Sequence, residues 1–150
     1  MTTQEAQTPQ PEDAPMYYIS FERLAQLRRS AIVLLASRRG PSCPSRLRPD
    51  HELMDPQELV DEIAQYSASK EDFIRSDMPL QEIVFRILLA HRNEPVSLRE
   101  LHHELTERWA TPVRPIIITE EGLGRILESD EYYGFAQLSR TTQEAEAATP

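Results

Sequence analysis

One cysteine, four glycines and one lysine among 150 residues remove several classes of explanation at once. With Cys43 alone, no disulfide within the chain is available. A structural zinc site needs four nitrogen or sulfur ligands, commonly as two close pairs. Cys43 and His51 supply two, and no second pair follows. His102 and His103 are neighbours on a predicted helix, so they point about 100° apart and cannot act as a pair on one face. No metal site is expected. The glycines, Gly40, Gly122, Gly124 and Gly134, form no phosphate-cradling loop: Gly122 and Gly124 fall on a helix instead of following a strand. No apolar run approaches the ~20 residues that span a bilayer, and no basic stretch leading into an apolar core marks a secretory signal. A cytoplasmic location is expected. Nor does the sequence offer a nucleophile with a base and oxyanion donors, so the expectation is a non-enzymatic protein without cofactor.

What is present is unevenly charged. The net charge is −9, yet residues 16–50 carry seven arginines against Glu22 and Asp50, a net of +5. Residues 51–78 carry eight carboxylates against Lys70 and Arg75, a net of −6. Residues 1–15 and 139–150 are rich in Thr, Gln, Glu, Ala and Pro without a periodic apolar face. Both are expected to be disordered tails, because they cannot bury enough surface to offset the entropy of ordering.

The spacing of apolar residues predicts a mainly α protein with a small β element. Tyr17 to Arg29 reads as a helix with Ser20 as N-cap. Ala31–Ala36 is a continuous apolar run that fits either a helix or a buried strand; the loop that follows favours the strand. Asp55-Pro56-Gln57-Glu58 starts a helix with Asp as cap and Pro at the first position, burying Leu59, Ile63 and Tyr66 or Ala64. A short turn at Ser69–Asp72 is expected to carry Phe73 and Ile74, and Pro79 sets a boundary.

From Pro79 onward the pattern is denser. Leu80, Ile83, Val84, Ile87 and Leu88 form the stripe of a half-buried helix that ends near Asn93. Ser97 and Glu100 form a capping box for a second helix that buries Leu98, Leu101, Leu105 and Trp109. Trp109 is read as packing, not as a stacking platform. Pro112 and Pro115 exclude a helix before Ile116, Ile117 and Ile118, which predicts an extended arm pairing with a strand over Tyr132–Leu138. Thr119 caps a third helix with Leu123, Ile126 and Leu127 inward. On the strand, Tyr133 and Phe135 share the inward face.

The Asn93-Glu94-Pro95-Val96 turn, the Ser97 and Thr119 caps and the aromatic strand ending at Leu138 resemble the winged-helix superfamily. The likeness is strongest to the HARE-type helix-turn-helix module and the N-terminal domain of the bacterial RNA polymerase delta subunit. It implies a winged-helix-like module over 79–138, packed on a helical N-terminal part over 16–78, with a wing reduced to one strand. Within that N-terminal part, the loop from Arg38 to Arg46 resembles the first half of a zinc ribbon, a degenerate knuckle with Gly40 at the first ligand position.

In DNA-binding members of such a superfamily the third helix reads the major groove. Here Arg125 is the third helix's one cationic contact, set among Glu120, Glu121, Glu128, Asp130 and Glu131, which repel phosphate. Two functions follow from different residues. The first is a protein-interaction or scaffold role in the bacterial cytoplasm, associated with transcription by resemblance, with another protein as partner. The alternative is a nucleic-acid-binding regulator using the Arg23–Arg48 block, with Arg28, Arg29, Arg38, Arg39, Arg46 and Arg48 as contacts to phosphate or an acidic partner. Against it stands the simpler expectation that residues 51–78 lie alongside the block and neutralise it.

Overall fold

The computed structural model describes residues 15–52 and 55–138. The two tails read as disordered lie outside the described residues, apart from Pro15. The fold is mainly helical with one small sheet. Strand β1 is Met16–Ile19, followed by helices α1 (Phe21–Gln26) and α2 (Ala31–Ala36). A single 3₁₀ turn (Asp50–Glu52) precedes α3 (Pro56–Tyr66) and α4 (Leu80–Ala90). Strand β2 (Val96–Ser97), α5 (Leu98–His103) with its π-helical continuation (Glu104–Trp109), α6 (Glu120–Ser129) and β3 (Phe135–Leu138) complete the order.

The sheet runs β2–β1–β3, antiparallel throughout. Met16 pairs with both Ser97 and Leu138, and Tyr17 with both Val96 and Gln137. The N-terminal strand is thus the centre of a sheet whose other strands come from the C-terminal half. This corrects the reading of Tyr17 as helical. Tyr17 and Ile19 are buried while Met16 and Tyr18 are half-buried, the period-2 pattern of a strand. The helix begins only after Ser20, whose hydroxyl accepts from the Arg23 amide at 3.0 Å.

Helix α1 stops in a Schellman turn. The Arg29 amide donates to Leu24 O and that of Arg28 to Ala25 O, with Arg28 left-handed at φ 62°. Residues 31–36 then form a helix, not the favoured strand. The reason is local: the Ser30 hydroxyl accepts from the Val33 amide, and Leu34, Leu35 and Ala36 turn inward while Val33 stays outside.

Asp55 caps α3 as expected, accepting from the Gln57 amide at 3.0 Å. Val60 joins Leu59 and Ile63 in the core, and Tyr66 faces outward. Between α3 and α4 there are hydrogen-bonded turns but no helix, and Phe73 and Ile74 are nevertheless buried. Helix α4 is covered on more sides than its stripe predicts: Phe85, Leu89 and Glu82 are buried as well. A helix apolar nearly all round belongs in the middle of a core. It ends in a second Schellman turn, with Arg92 and Asn93 both left-handed. The Asn93 side chain accepts from Ile19 N at 2.7 Å and donates to Ile19 O at 2.9 Å, fastening that turn to β1.

Ser97 and Thr119 cap α5 and α6, accepting from the amides of Glu100 and Gly122. Leu98, Leu101, Leu105, Leu123 and Leu127 are buried; Trp109 and Ile126 are half-buried. Asp130 accepts from the amides of Tyr132 and Tyr133, turning the chain into β3. Gly134 lies at φ 80°, and a Cβ there would sit 2.6 Å from Leu24 Cγ, so this position needs glycine for both conformation and space. One hydrophobic cluster runs from Tyr17 through Cys43, α3 and α4 to Phe135. Among the described residues, no helix is long and apolar enough to cross a membrane.

Candidate functional site

The arginine block does not gather into one surface. Arg38 turns inward, with Nε and Nη2 meeting Glu82 Oε2 and Oε1 at 3.1 and 2.6 Å. Arg39 is spent on its own loop: it donates to Ala36 O at 3.1 Å, to Ser45 O and to Arg48 O at 3.3 Å, and pairs with Asp50 at 3.5 Å. The Arg29 guanidinium lies 3.8 Å from the Tyr132 ring centroid. Arg28, Arg46 and Arg48 are exposed. The partners of Arg38 and Arg39 therefore differ from the expected ones. Glu82 lies on α4 and Asp50 precedes the acidic stretch, while Glu62 of that stretch accepts from Ser45 N and Oγ instead. Arg125 is exposed on α6, beside exposed Glu121 and Glu128.

Glu82 is the electrostatic centre of the core. Besides Arg38 it accepts from Arg86 Nε at 2.7 Å and from the Tyr133 hydroxyl at 2.8 Å. Burial alone would raise its pKa, but the hydrogen bonds from Arg38, Arg86 and Tyr133 outweigh it and hold the carboxyl at about 2. Burial, and next the bond to the Glu82 charge, push the Tyr133 phenol above its ordinary value. Tyr17 is raised likewise, by burial and then by its 2.9 Å bond to Glu128. Arg38 and Arg86 also close on Leu34 O and Phe73 O, each at a distance near 2.9 or 2.8 Å. Every strong donor here already has a partner, and the network joins α2, α4 and the segment before β3. It ties these elements to one another. Sequence reading missed Glu82, although the i, i+4 spacing to Arg86 was a visible signal.

The segment from Ala110 to Thr119 behaves differently. It does not pair with β3, as the isoleucine run suggested: β3 bonds to β1 and is the edge strand of the sheet. The arm is held at three points. The Thr111–Arg114 turn closes on itself at 3.1 Å, Arg114 Nε donates to Ser76 O at 3.3 Å, and His102 Nε2 donates to Ile118 O at 2.6 Å. Ile116 and Ile118 pack on the core, while Val113 and Ile117 are 89% and 91% exposed. Ile116 and Ile117 belong to no strand pairing among the described residues. The inner side of the arm borders a concavity with Met78, Leu80 and Ile83 on its wall.

A further group was not read from the sequence. His91, Glu100 and Glu104 bring their ligand atoms within 4.8 Å of one another. The i, i+4 spacing of Glu100 and Glu104 was legible; the approach of His91 from another helix was not. Cys43, by contrast, is buried with its thiol 3.1 Å from the Ser67 hydroxyl, and the side chain of His51 lies outside the described residues. No protein-family model matches this chain, and no curated protein or solved structure does either.

Proposed function

We propose that this chain is a non-enzymatic protein-interaction module of the cytoplasm that binds another protein through the arm at residues 110–119. The observation that carries the reading is the outward display of Val113, in the Thr111–Arg114 turn, and of Ile117, in the stretch that follows it, at 89% and 91% exposure. Single exposed apolar residues are ordinary, but here two β-prone side chains share one unpaired arm. The backbone at Ile116 and Ile117, in no strand pairing among the described residues, suits addition of a partner's strand, with side chains filling its pockets. The winged-helix resemblance, and with it a link to transcription, belongs to this proposal. The nucleic-acid reading is the weaker one, because Arg38 and Arg39 are engaged by Glu82, Asp50 and backbone carbonyls.

The test is site-specific photocrosslinking in cells of the source organism, with the reactive group at Val113 or Ile117 and a control at exposed Glu107. Both arm positions are expected to give the same discrete adduct, absent from the control and lost when the other arm residue is changed to Glu. Adducts that match the control in pattern and yield would overturn the proposal.

A further inference from the structure

The arm does not use the group formed by His91, Glu100 and Glu104, which lies where the end of α4 meets α5. Glu100 and Glu104 are one helical turn apart and so share a face. His91 comes from a separate element, with its Nε2 3.7 Å from Glu104 Oε2. Its backbone is fixed: the His91 amide bonds to Ile87 O and Leu88 O, and the left-handed Arg92 and Asn93 that follow are tied to β1 through Ile19. Two rigid elements thus deliver one imidazole nitrogen and two carboxylates to a common point.

A second observation concerns the neighbouring cavity. A concavity of about 290 Å³ is bordered by His91 and Glu104 together with Ile87, Lys70, Arg108 and Trp109. The Trp109 side chain borders it, and its indole nitrogen is buried without a hydrogen-bond partner among the described residues. Glu104 and Trp109 are also the two ends of a π-helical stretch, Glu104–Trp109, that continues α5. Such wide turns are rare and concentrate at functional sites.

We infer that His91, Glu100 and Glu104 form a binding site for a first-row divalent transition cation, of the class of Zn²⁺, Co²⁺ or Ni²⁺. Imidazole selects these ions over Mg²⁺ and Ca²⁺, and the two carboxylates supply charge that balances the ion. Three protein ligands leave a coordination position for water or a small oxyanion, as at open zinc sites. Arg108 is the competing cation, 3.8 Å from the other Glu104 oxygen, but it is mostly exposed and free to withdraw. The site departs from the expectation of no metal, which weighed Cys43, His51, His102 and His103.

Trp109 is the chain's one tryptophan, so its fluorescence reports on this cavity. The full chain is titrated with Co²⁺ and Ni²⁺ while Trp109 quenching is followed, and with Zn²⁺ by calorimetry. Saturable one-to-one binding is expected. His91→Ala, Glu104→Gln and Glu100→Gln should each weaken it at least ~tenfold, since even outer partners of metal ligands cost 10–100-fold. His103→Ala, at an exposed position of the same helix, should leave binding unchanged. Circular dichroism melts establish that each variant is folded, and Glu100→Gln, on the surface, is the least disruptive of the three. Absence of saturable binding below ~1 mM would overturn the inference. So would binding that survives all three ligand variants, which places the ion elsewhere, or binding that responds to His91 and to neither glutamate.

Discussion

The Tyr133 hydroxyl donates to Glu82 Oε1 at 2.8 Å, tying the segment before β3 to the first turn of α4 across 51 positions of sequence. The same carboxylate pairs with Arg38, just beyond the end of α2, and with Arg86 of its own helix. A buried ion pair is a weak source of net stability when whole, but a costly one to break, because the survivor is left charged and unpaired. Tyr133 also stacks on Phe135, with ring centroids 5.5 Å apart, and packs against Phe85 at 5.1 Å. The polar network is therefore framed by aromatic rings that keep water from relieving it.

Replacing Glu82 by Ala is expected to destabilise the fold by ~3–5 kcal/mol, measured by urea unfolding at neutral pH, because two guanidiniums lose their partner. Tyr133→Phe should cost only ~0.5–1.5 kcal/mol, or somewhat more for a bond to a charged acceptor. Equal losses in the two variants would show that the carboxylate is not the centre of the network.

The pH dependence follows from the same residue. The Glu82 carboxyl falls from an ordinary 4.5 to about 2 on folding. Its contribution is therefore complete above 4.5 and is lost as pH falls through about 2. Wild-type stability should decline across that acid window more steeply than that of Glu82→Gln, which has no carboxyl to protonate there. Parallel pH profiles in thermal melts would contradict this.

Asn93 tests the joint between α4 and β1. Asn93→Ala removes bonds to both the amide and the carbonyl of Ile19 and places a Cβ without polar help at φ 62°. A loss of ~2–4 kcal/mol is expected from two unsatisfied backbone groups. Asn93→Gly relieves the conformation but not the bonds, so it should recover only the ~1 kcal/mol of left-handed strain. Full recovery by glycine would mean the side-chain bonds contribute little.

For the core, Ile87→Ala and Leu101→Ala each remove a fully buried side chain. Each should cost ~2–5 kcal/mol in chemical unfolding, as buried large-to-small changes do. Melting like the parent in either case would place that residue at the surface.

With duplex DNA at ~150 mM salt, association no tighter than the ~10⁻⁴–10⁻⁶ M of non-specific binding is expected. Arg28, Arg46 and Arg48 are the exposed members of the block, so charge removal there should flatten what salt dependence exists, whereas Arg125→Ala should change little. Sub-micromolar, sequence-dependent binding in a fluorescence anisotropy titration would favour the nucleic-acid reading over the proposed one.

By itself the sequence determined where α1, α3, α5 and α6 start. Ser20, Asp55, Ser97 and Thr119 each cap the helix they precede, because a cap depends on a hydroxyl or carboxylate meeting an amide two or three residues away. It also determined the apolar face of α4 and the inward leucines of α5 and α6, since helical period and burial go together. Only the tertiary structure decided that Met16–Ile19 is a central strand and that the isoleucine arm is left unpaired. Both segments are β-prone, and local propensity does not say which of them meets β3; the choice depends on contacts more than a hundred residues apart. The same holds for Glu82 and for the approach of His91 to Glu104. Burial of a charge is set by the partners that come to meet it, and those partners lie on other elements of the fold.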